Sequence, residues 1–366
     1  MVTDARNALR WKLAEEDDST VLFPDETAMQ RHIGTGEYQG MEFLHVNARS
    51  IINGVPASSN MPFRYSINAY RGCSHACVYC FARPTHDYLG LGIGRDFETK
   101  IVVKINAVER LAAELRSPKW AGDHIAMGTN TDPYQSAEGK YHLTKGIIGI
   151  LSDARNPFSI LTKSTLVLRD LKALAKAATR TSVHLNFSIG TLDRQVWKLT
   201  EPGTPPPDKR VDAVRRLNDA GIPCGVLIAP VLPGLSDGEE QVRQVAEACL
   251  AAGAVSISAT GLHLRPGVRE HYMAWLTRER PDLVALYEQR FIRGSYQPKA
   301  EQARLSAIVS AVLKASRGVS YERKDPRGFV DTFETGHPVS DGTDHAASHP
   351  AADSGIPTRS EQLRLL

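Results

Sequence analysis

The chain has 366 residues, room for one large domain or two of ordinary size, and length does not choose because α/β barrels exceed the usual domain length. Apolar residues make up 42% and charged residues 23%, near globular averages, and no apolar run approaches the roughly 18 residues of a membrane span. The formal net charge is +3, but residues 331–366 carry six acidic side chains against two basic ones, a net −4, so the remaining body stands near +7. That excess permits an anionic substrate or nucleic acid without requiring either. The opening residues, MVTDARNALRWKLAEEDDST, place acids where a secretory signal needs an apolar stretch, and a cytoplasmic location is expected.

Residues 1–40 lack sustained periodicity and are read as an N-terminal extension, with Trp11, Leu22 and Phe23 able to dock on the body. Residues 41–315 alternate strand-like and helix-like segments, the rhythm of βα units around a parallel sheet. The first strand, RYSINAY, leads into the cysteines, and a helix is expected over about 99–116, where Ile101, Ile105, Val108, Leu111 and Leu115 recur at helical steps. Five more strands follow: HIAMGTN, FSILTKS, TSVHLNFSIGT, CGVLIAPVLPG and AVSISATGLHL. Between them lie helices LTKGIIGILSDA, LVLRDLKALAKAA, PDKRVDAVRRLNDAG and DGEEQVRQVAEACLAAG, the last two closing at Gly221 and Gly253, where a left-handed cap is cheap. Helical sequence fills Val268 to about Ala315. Residues 316–366 are read as a low-complexity, disordered tail, rich in Asp, Ser, Pro, Gly and His from 331 onward.

Buried parallel strands normally read as continuous apolar runs. Here Val183, Leu185 and Phe187 alternate with His184, Asn186 and Ser188, and Ile257 and Ala259 alternate with Ser256, Ser258 and Thr260. Successive side chains point to opposite faces, so these strands line either a polar lumen or a solvated sheet face.

Three of the five cysteines fall within eight residues, in YRGCSHACVYCFARP, too tight for a disulfide framework and suited to metal or redox chemistry. Cys73, Cys77 and Cys80 supply three thiolates on one short loop. A cubane cluster has four irons, so three ligands leave one iron open to bind a substrate-like ligand. The competing chemistry is a structural zinc site, which needs a tetrahedral fourth ligand, and His75 and His86 are poorly spaced for that role. Cys224 and Cys249 lie far away in a strand and a helix, as small buried hydrophobes do.

The Cys-x3-Cys-x-aromatic-Cys loop after a first strand resembles the signature of the radical S-adenosylmethionine (SAM) superfamily. Within it, YRGCSHACVYCFARPTHDYLG, GTNTDPYQSAE, LTKS, SIGTLDRQVWKLTEPGTPPPDKR and IAPVLPGLSD resemble the bacterial branch related to spore photoproduct lyase. The resemblance spans about residues 40–315 and implies a partial (β/α)6 barrel, open on one side, with a [4Fe-4S] cluster and SAM at its C-terminal mouth. It implies reductive cleavage of SAM to a 5′-deoxyadenosyl radical, with an electron donor such as flavodoxin or ferredoxin.

By the same resemblance Tyr79 lies by the adenine. Thr129, Asn130, Thr131 and Asp132, with Asp132 foremost, hold the methionine amine. Lys163 pairs the methionine carboxylate, Ser188 matches a ribose-binding position and Asn186 is its neighbour in the lumen. Asp193, Arg194, Arg210 and Arg265 are candidates for contacts around substrate. The chain departs from spore photoproduct lyase in one respect: that family returns a hydrogen atom from a cysteine after the second strand, and residues 128–136 contain none. Tyr134 is the replacement donor the sequence offers. The substrate readings are a nucleic acid or nucleotide, or else a peptide or small metabolite; a non-catalytic metal or redox protein is the third alternative.

Overall fold

A computed structural model describes residues 29–316 except 57, 58 and 60, so the expected tail beyond 316 and the docking of Trp11, Leu22 and Phe23 lie outside the described residues. The strands are β1 (Gln30–Ile33), β2 (Glu42–Val46), β3 (Ile52–Gly54), β4 (Tyr65–Ile67), β5 (Tyr70–Arg71), β6 (Lys100–Lys104), β7 (Ile125–Met127), β8 (Phe158–Thr162), β9 (Val183–Ser188), β10 (Cys224–Val231) and β11 (Ile257–Gly261).

The large sheet runs β11-β10-β9-β8-β7-β4-β3. All six strands expected from sequence lie in it, parallel to one another, and β3 adds an antiparallel edge. Each crossover carries helix, as parallel strands require. Leu143–Asp153, Leu171–Ala178, Pro207–Asp219 and Glu239–Ala251 are the expected helices. Gly221 and Gly253 adopt φ of +74° and +78°, as the capping argument required. Past β11 the helices are Val268–Glu279, Val284–Arg290 and Lys299–Ser316. The last one covers β11, where Gln302 accepts from the Gly261 amide and donates to the Ala259 carbonyl.

The helix expected over 99–116 is corrected. Residues 100–104 are strand, and helix occupies only Ala107–Leu115. The segment KIVVK is rich in β-branched residues, whose stiff side chains suit a pleated surface. Ile101 and Val103 enter the main core, while Val102 packs on the opposite face with Leu44, Val46 and Leu89. Ile105, placed by helical spacing on the buried face, is 41% exposed. The Asn106 side chain then clasps the Ala48 backbone, accepting at 2.8 Å and donating at 3.0 Å. β6 belongs to a second sheet of order β1-β2-β6-β5, so part of the expected N-terminal extension, residues 30–33, is paired strand.

The polar faces of both strands turn to the same side of the sheet. On β9, Asn186 and Ser188 are buried while Val183, Leu185 and Phe187 enter the core, so the polar face is interior. On β11, at the sheet edge, Ser256 stands with Asn186 over Gly225, and Thr260, though exposed, lines the same cavity as Ser188.

The strand assignment at 100–104 predicts unequal costs for two substitutions that a helix would make similar. Ile101→Ala should lose about 2–5 kcal/mol in denaturant unfolding, the usual cost of emptying a buried aliphatic site. Ile105→Ala should stay within about 0.5 kcal/mol of the parent, as surface changes do.

Candidate active site

The cysteine loop has little regular structure, and its shape is imposed from outside. Gly72 has φ +77°, and a Cβ there would meet the His86 ring at 2.8 Å and the Phe97 carbonyl at 2.9 Å, so only glycine turns the chain from β5 into the loop. The wholly buried Arg83 donates from Nε and Nη2 to the Cys77 carbonyl at 3.1 and 2.9 Å and pairs with Glu98 at 2.6 Å. Gln135, also wholly buried, accepts from the Ser74 amide at 3.0 Å and donates to the Gly72 carbonyl at 2.9 Å. From the far side, the Val78 amide donates to the Thr200 carbonyl and the Gly203 amide to the His75 carbonyl. A Cβ on Gly203 would lie 2.1 Å from the Ser74 carbonyl oxygen, so that approach also requires glycine.

Held this way, Cys73, Cys77 and Cys80 line a cavity of about 290 Å³ at the C-terminal ends of the large sheet's strands. Of the other residues singled out from sequence, Tyr79, Asn130, Thr131, Asp132, Lys163 and Ser188 line the same cavity. Thr129 and Asn186 do not. Thr129 accepts from the Asn68 side chain at 3.2 Å, and the Asn186 amide sits over Gly225, where a Cβ would come within 2.7 Å of its oxygen.

Asp132 is heavily engaged inside the protein. Its carboxylate accepts from the Thr162 hydroxyl at 2.7 Å and from the Tyr134 and Lys163 amides at 2.8 Å each, and lies 3.4 Å from His75 Nδ1. It therefore locks the loop after β7 to the end of β8 and to the cysteine loop. Lys163 Nζ donates to the Ser188 hydroxyl and to the Ala229 carbonyl at 3.3 Å.

Sequence reasoning missed Glu201. Its carboxylate is buried, accepts from the Tyr79 hydroxyl, pairs with Arg210 at 2.5 Å and lies 3.4 Å from Lys163 Nζ. Burial alone would raise this carboxyl, but the Arg210 and Lys163 charges outweigh it and hold it down to about 2. Glu201 sits in the Pro- and Gly-rich run LTEPGTPPPDKR, where a lone acid reads as loop surface; the buried Arg210 nine residues later was the available signal.

The remaining candidates resolve differently. Tyr134 is buried with its hydroxyl 3.3 Å from Asp170, outside the cavity, so it is not placed as a hydrogen donor there. Asp193 caps the helix Arg194–Thr200 by accepting from the amides of Gln195 and Val196. Arg194 makes an exposed pair with Asp208. Arg210 is the buried partner of Glu201, and Arg265 lies beside the cavity wall residue His263 in the chain.

The donor set fits an iron-sulfur cluster. Burial pushes the Cys73 thiol up to about 12 and also raises Cys77 and Cys80, so these sulfurs need positive charge to ionise. Arg83, Lys163 and Arg265 act in that direction on Cys80. Of the nearby histidines, His75 Nδ1 lies 3.4 Å from Asp132, and His86 Nε2 is 2.9 Å from the Lys100 carbonyl while its Nδ1 is buried without a hydrogen-bond partner. Among the described residues no three His, Cys, Asp or Glu side chains converge as ligands of one metal ion.

This partial barrel with three thiols at its strand ends is the architecture of a radical enzyme. The family model of the Radical SAM superfamily matches residues 67–246. The uncharacterized protein Rv2578c of Mycobacterium tuberculosis is 41% identical over 322 residues, covering 88% of this chain and 95% of that one. Spore photoproduct lyase complexed with dinucleoside spore photoproduct superposes with a TM-score of 0.56 at 19% identity, over 75% of this chain and 79% of that one. A spore photoproduct lyase variant with bound AdoMet and dinucleoside spore photoproduct gives 0.55 at 18%, over the same shares. The chain belongs to the radical SAM superfamily, and it shares the fold of spore photoproduct lyase. Among the described residues no helix is long and apolar enough to cross a membrane.

Glu201→Gln should cost about 3–5 kcal/mol at neutral pH, because it leaves the Arg210 charge buried without its partner. A carboxyl lowered from 4.5 to about 2 contributes stability that is complete above about pH 4.5 and lost as pH falls toward 2. Denaturant unfolding across that range should therefore show the wild-type advantage over Glu201→Gln shrinking as the solution is acidified.

Proposed function

We propose that this protein is a radical SAM enzyme in which Cys73, Cys77 and Cys80 hold a [4Fe-4S] cluster and the rest of the cavity holds SAM beside a nucleic-acid or nucleotide substrate. The observation that carries the reading is that three thiols and Lys163 line one cavity, half open to solvent, while Glu201 ties Lys163 to Tyr79. When bound, the cluster supplies the electron that cleaves SAM to methionine and a 5′-deoxyadenosyl radical.

The chain's own residues bind and orient. Lys163 offers a cation to the methionine carboxylate, and its contacts with Ser188 and Glu201 hold it at the cavity wall before any ligand arrives. Ser188 offers a hydroxyl to the ribose. Tyr79, its ring 5.8 Å from Lys163 Nζ and its hydroxyl fixed by Glu201, presents a flat face for the adenine. Asn130 offers its side-chain oxygen to the methionine amine, while Thr131, whose hydroxyl donates to the Gly72 carbonyl and accepts from Gln135, and Asp132 with its occupied carboxylate shape the loop. Thr129 and Asn186 act behind this layer, through Asn68 and over Gly225.

A nucleic-acid or nucleotide substrate is supported by the net positive body and by Phe81, a cavity residue left 48% exposed and able to stack on a ring. A thiol return route is not part of the proposal, since Cys224 and Cys249 are wholly buried in the main core. A cytoplasmic setting with a flavodoxin- or ferredoxin-type reductant completes the reading.

Anaerobic reconstitution with iron and sulfide, then reduction with SAM present, should give a brown protein that forms 5′-deoxyadenosine, and Cys77→Ala should lose both colour and product. A colourless zinc protein, or product formation undiminished in Cys77→Ala, would overturn the assignment.

A further inference from the structure

Arginine is costly to bury without an acceptor, because each desolvated donor left unmade costs free energy. Several interior guanidiniums obey this rule: Arg83 pairs with Glu98, Arg169 with Glu138 and Asp170, and Arg210 with Glu201. Arg265 does not. Its Nε is buried with no hydrogen-bond partner, and no carboxylate among the described residues lies within ion-pair distance of it. Its charge reaches Cys80 and His263, both of which line the cavity.

Two residues before it in the chain, a flat ring lines the cavity. This ring, His263, stacks on Tyr296, with centroids 4.2 Å apart and planes inclined by 16°. An antiparallel bridge between the same two residues and the Leu264 amide bond to the Ser295 carbonyl fix the pair to the end of β11. Tyr296 is nevertheless 73% exposed. Burial and the neighbouring Arg265 both lower the His263 pKa, so its ring is neutral at neutral pH. Phe81 supplies a further exposed ring on the cavity wall, next to the third cysteine. A cation without a carboxylate partner, two residues from a stacked ring pair at the cavity wall, has the chemistry of a site for a planar ring that carries a phosphate.

We propose that Arg265 and the His263–Tyr296 stack form a substrate subsite at the cavity rim, with Arg265 receiving a phosphate and the rings receiving the adjoining base. This subsite rests on the nucleic-acid reading above and assigns it to particular residues. Arg265 would be a specificity residue for substrate, separate from the groups that face SAM. The competing acceptor for its charge is the cluster itself, bound at Cys80.

The test uses reconstituted full-length protein under anaerobic conditions and a fluorescein-labelled single-stranded DNA octamer, read by anisotropy across a salt series. The parent should bind, and Arg265→Gln should weaken binding about tenfold while flattening the plot of log affinity against log salt by about 0.7, one phosphate contact fewer. Tyr296→Ala should weaken binding about fivefold with the salt slope unchanged. Iron content and the thermal unfolding midpoint of Arg265→Gln should match the parent, which separates a subsite defect from misfolding. If the parent binds and Arg265→Gln binds equally well, the subsite is wrong and the nucleic-acid reading survives. Weaker binding in Arg265→Gln with an unaltered salt slope would also overturn it. If the parent fails to bind the octamer, the nucleic-acid reading and the subsite fall together.

Discussion

The carboxylate of Glu201 is the point through which the site is held together. It binds the Tyr79 hydroxyl from the cysteine loop, Arg210 from the helix after β9 and, at longer range, Lys163 from the end of β8. Three parts of the chain far apart in sequence are thereby fixed around one buried negative charge. Such a group is stable only while its cations remain, since an isolated carboxylate in a low-dielectric interior is strongly penalised. Of the groups it gathers, Tyr79 and Lys163 line the cavity. The loop bearing the cysteines gains its shape from the same surroundings: Gln135, Arg83 and the 200–203 segment supply the hydrogen bonds that its own backbone does not make.

Much of the scaffold was legible because it obeys local rules. The six parallel strands announced themselves by β-branched runs bounded by helices, and Gly221 and Gly253 marked helix ends by the backbone freedom those ends demand. The KIVVK segment was misread because Ile101 and Ile105 are four apart, a spacing that a helix and a strand running into a helix both allow. Pairing with β2 and β5 decided it, and β5 has only two residues, too short to read from periodicity. The alternating polar faces of β9 and β11 turn to the same side and differ in burial, because one strand is central and the other lies at the edge.

The site was legible where chemistry is written in spacing and obscure where it is written in the fold. Three cysteines in eight residues mark the loop, and the structure sets all three on one cavity. Nothing comparable marks Glu201, whose role comes from a loop folding back over the strand ends. Asp132 shows the opposite error: a carboxylate next to the expected ligand loop looks like a binding group, and its oxygens are taken up by Thr162, Lys163, Tyr134 and His75. Arg265 was one of four charged residues singled out from sequence for contacts around substrate, and the structure adds that its Nε is buried without an acceptor. The chain shares the fold of spore photoproduct lyase, and its loop at residues 128–136 contains no cysteine.

Electron paramagnetic resonance of the reduced, reconstituted protein tests the central claim most directly, because it examines the cluster and its open iron without knowledge of the substrate. The account predicts the signal of a reduced [4Fe-4S] cluster that changes shape when SAM is added, as it must if SAM occupies the iron that three cysteines leave free. A protein that shows no cluster signal, or one whose signal is indifferent to SAM, would contradict it.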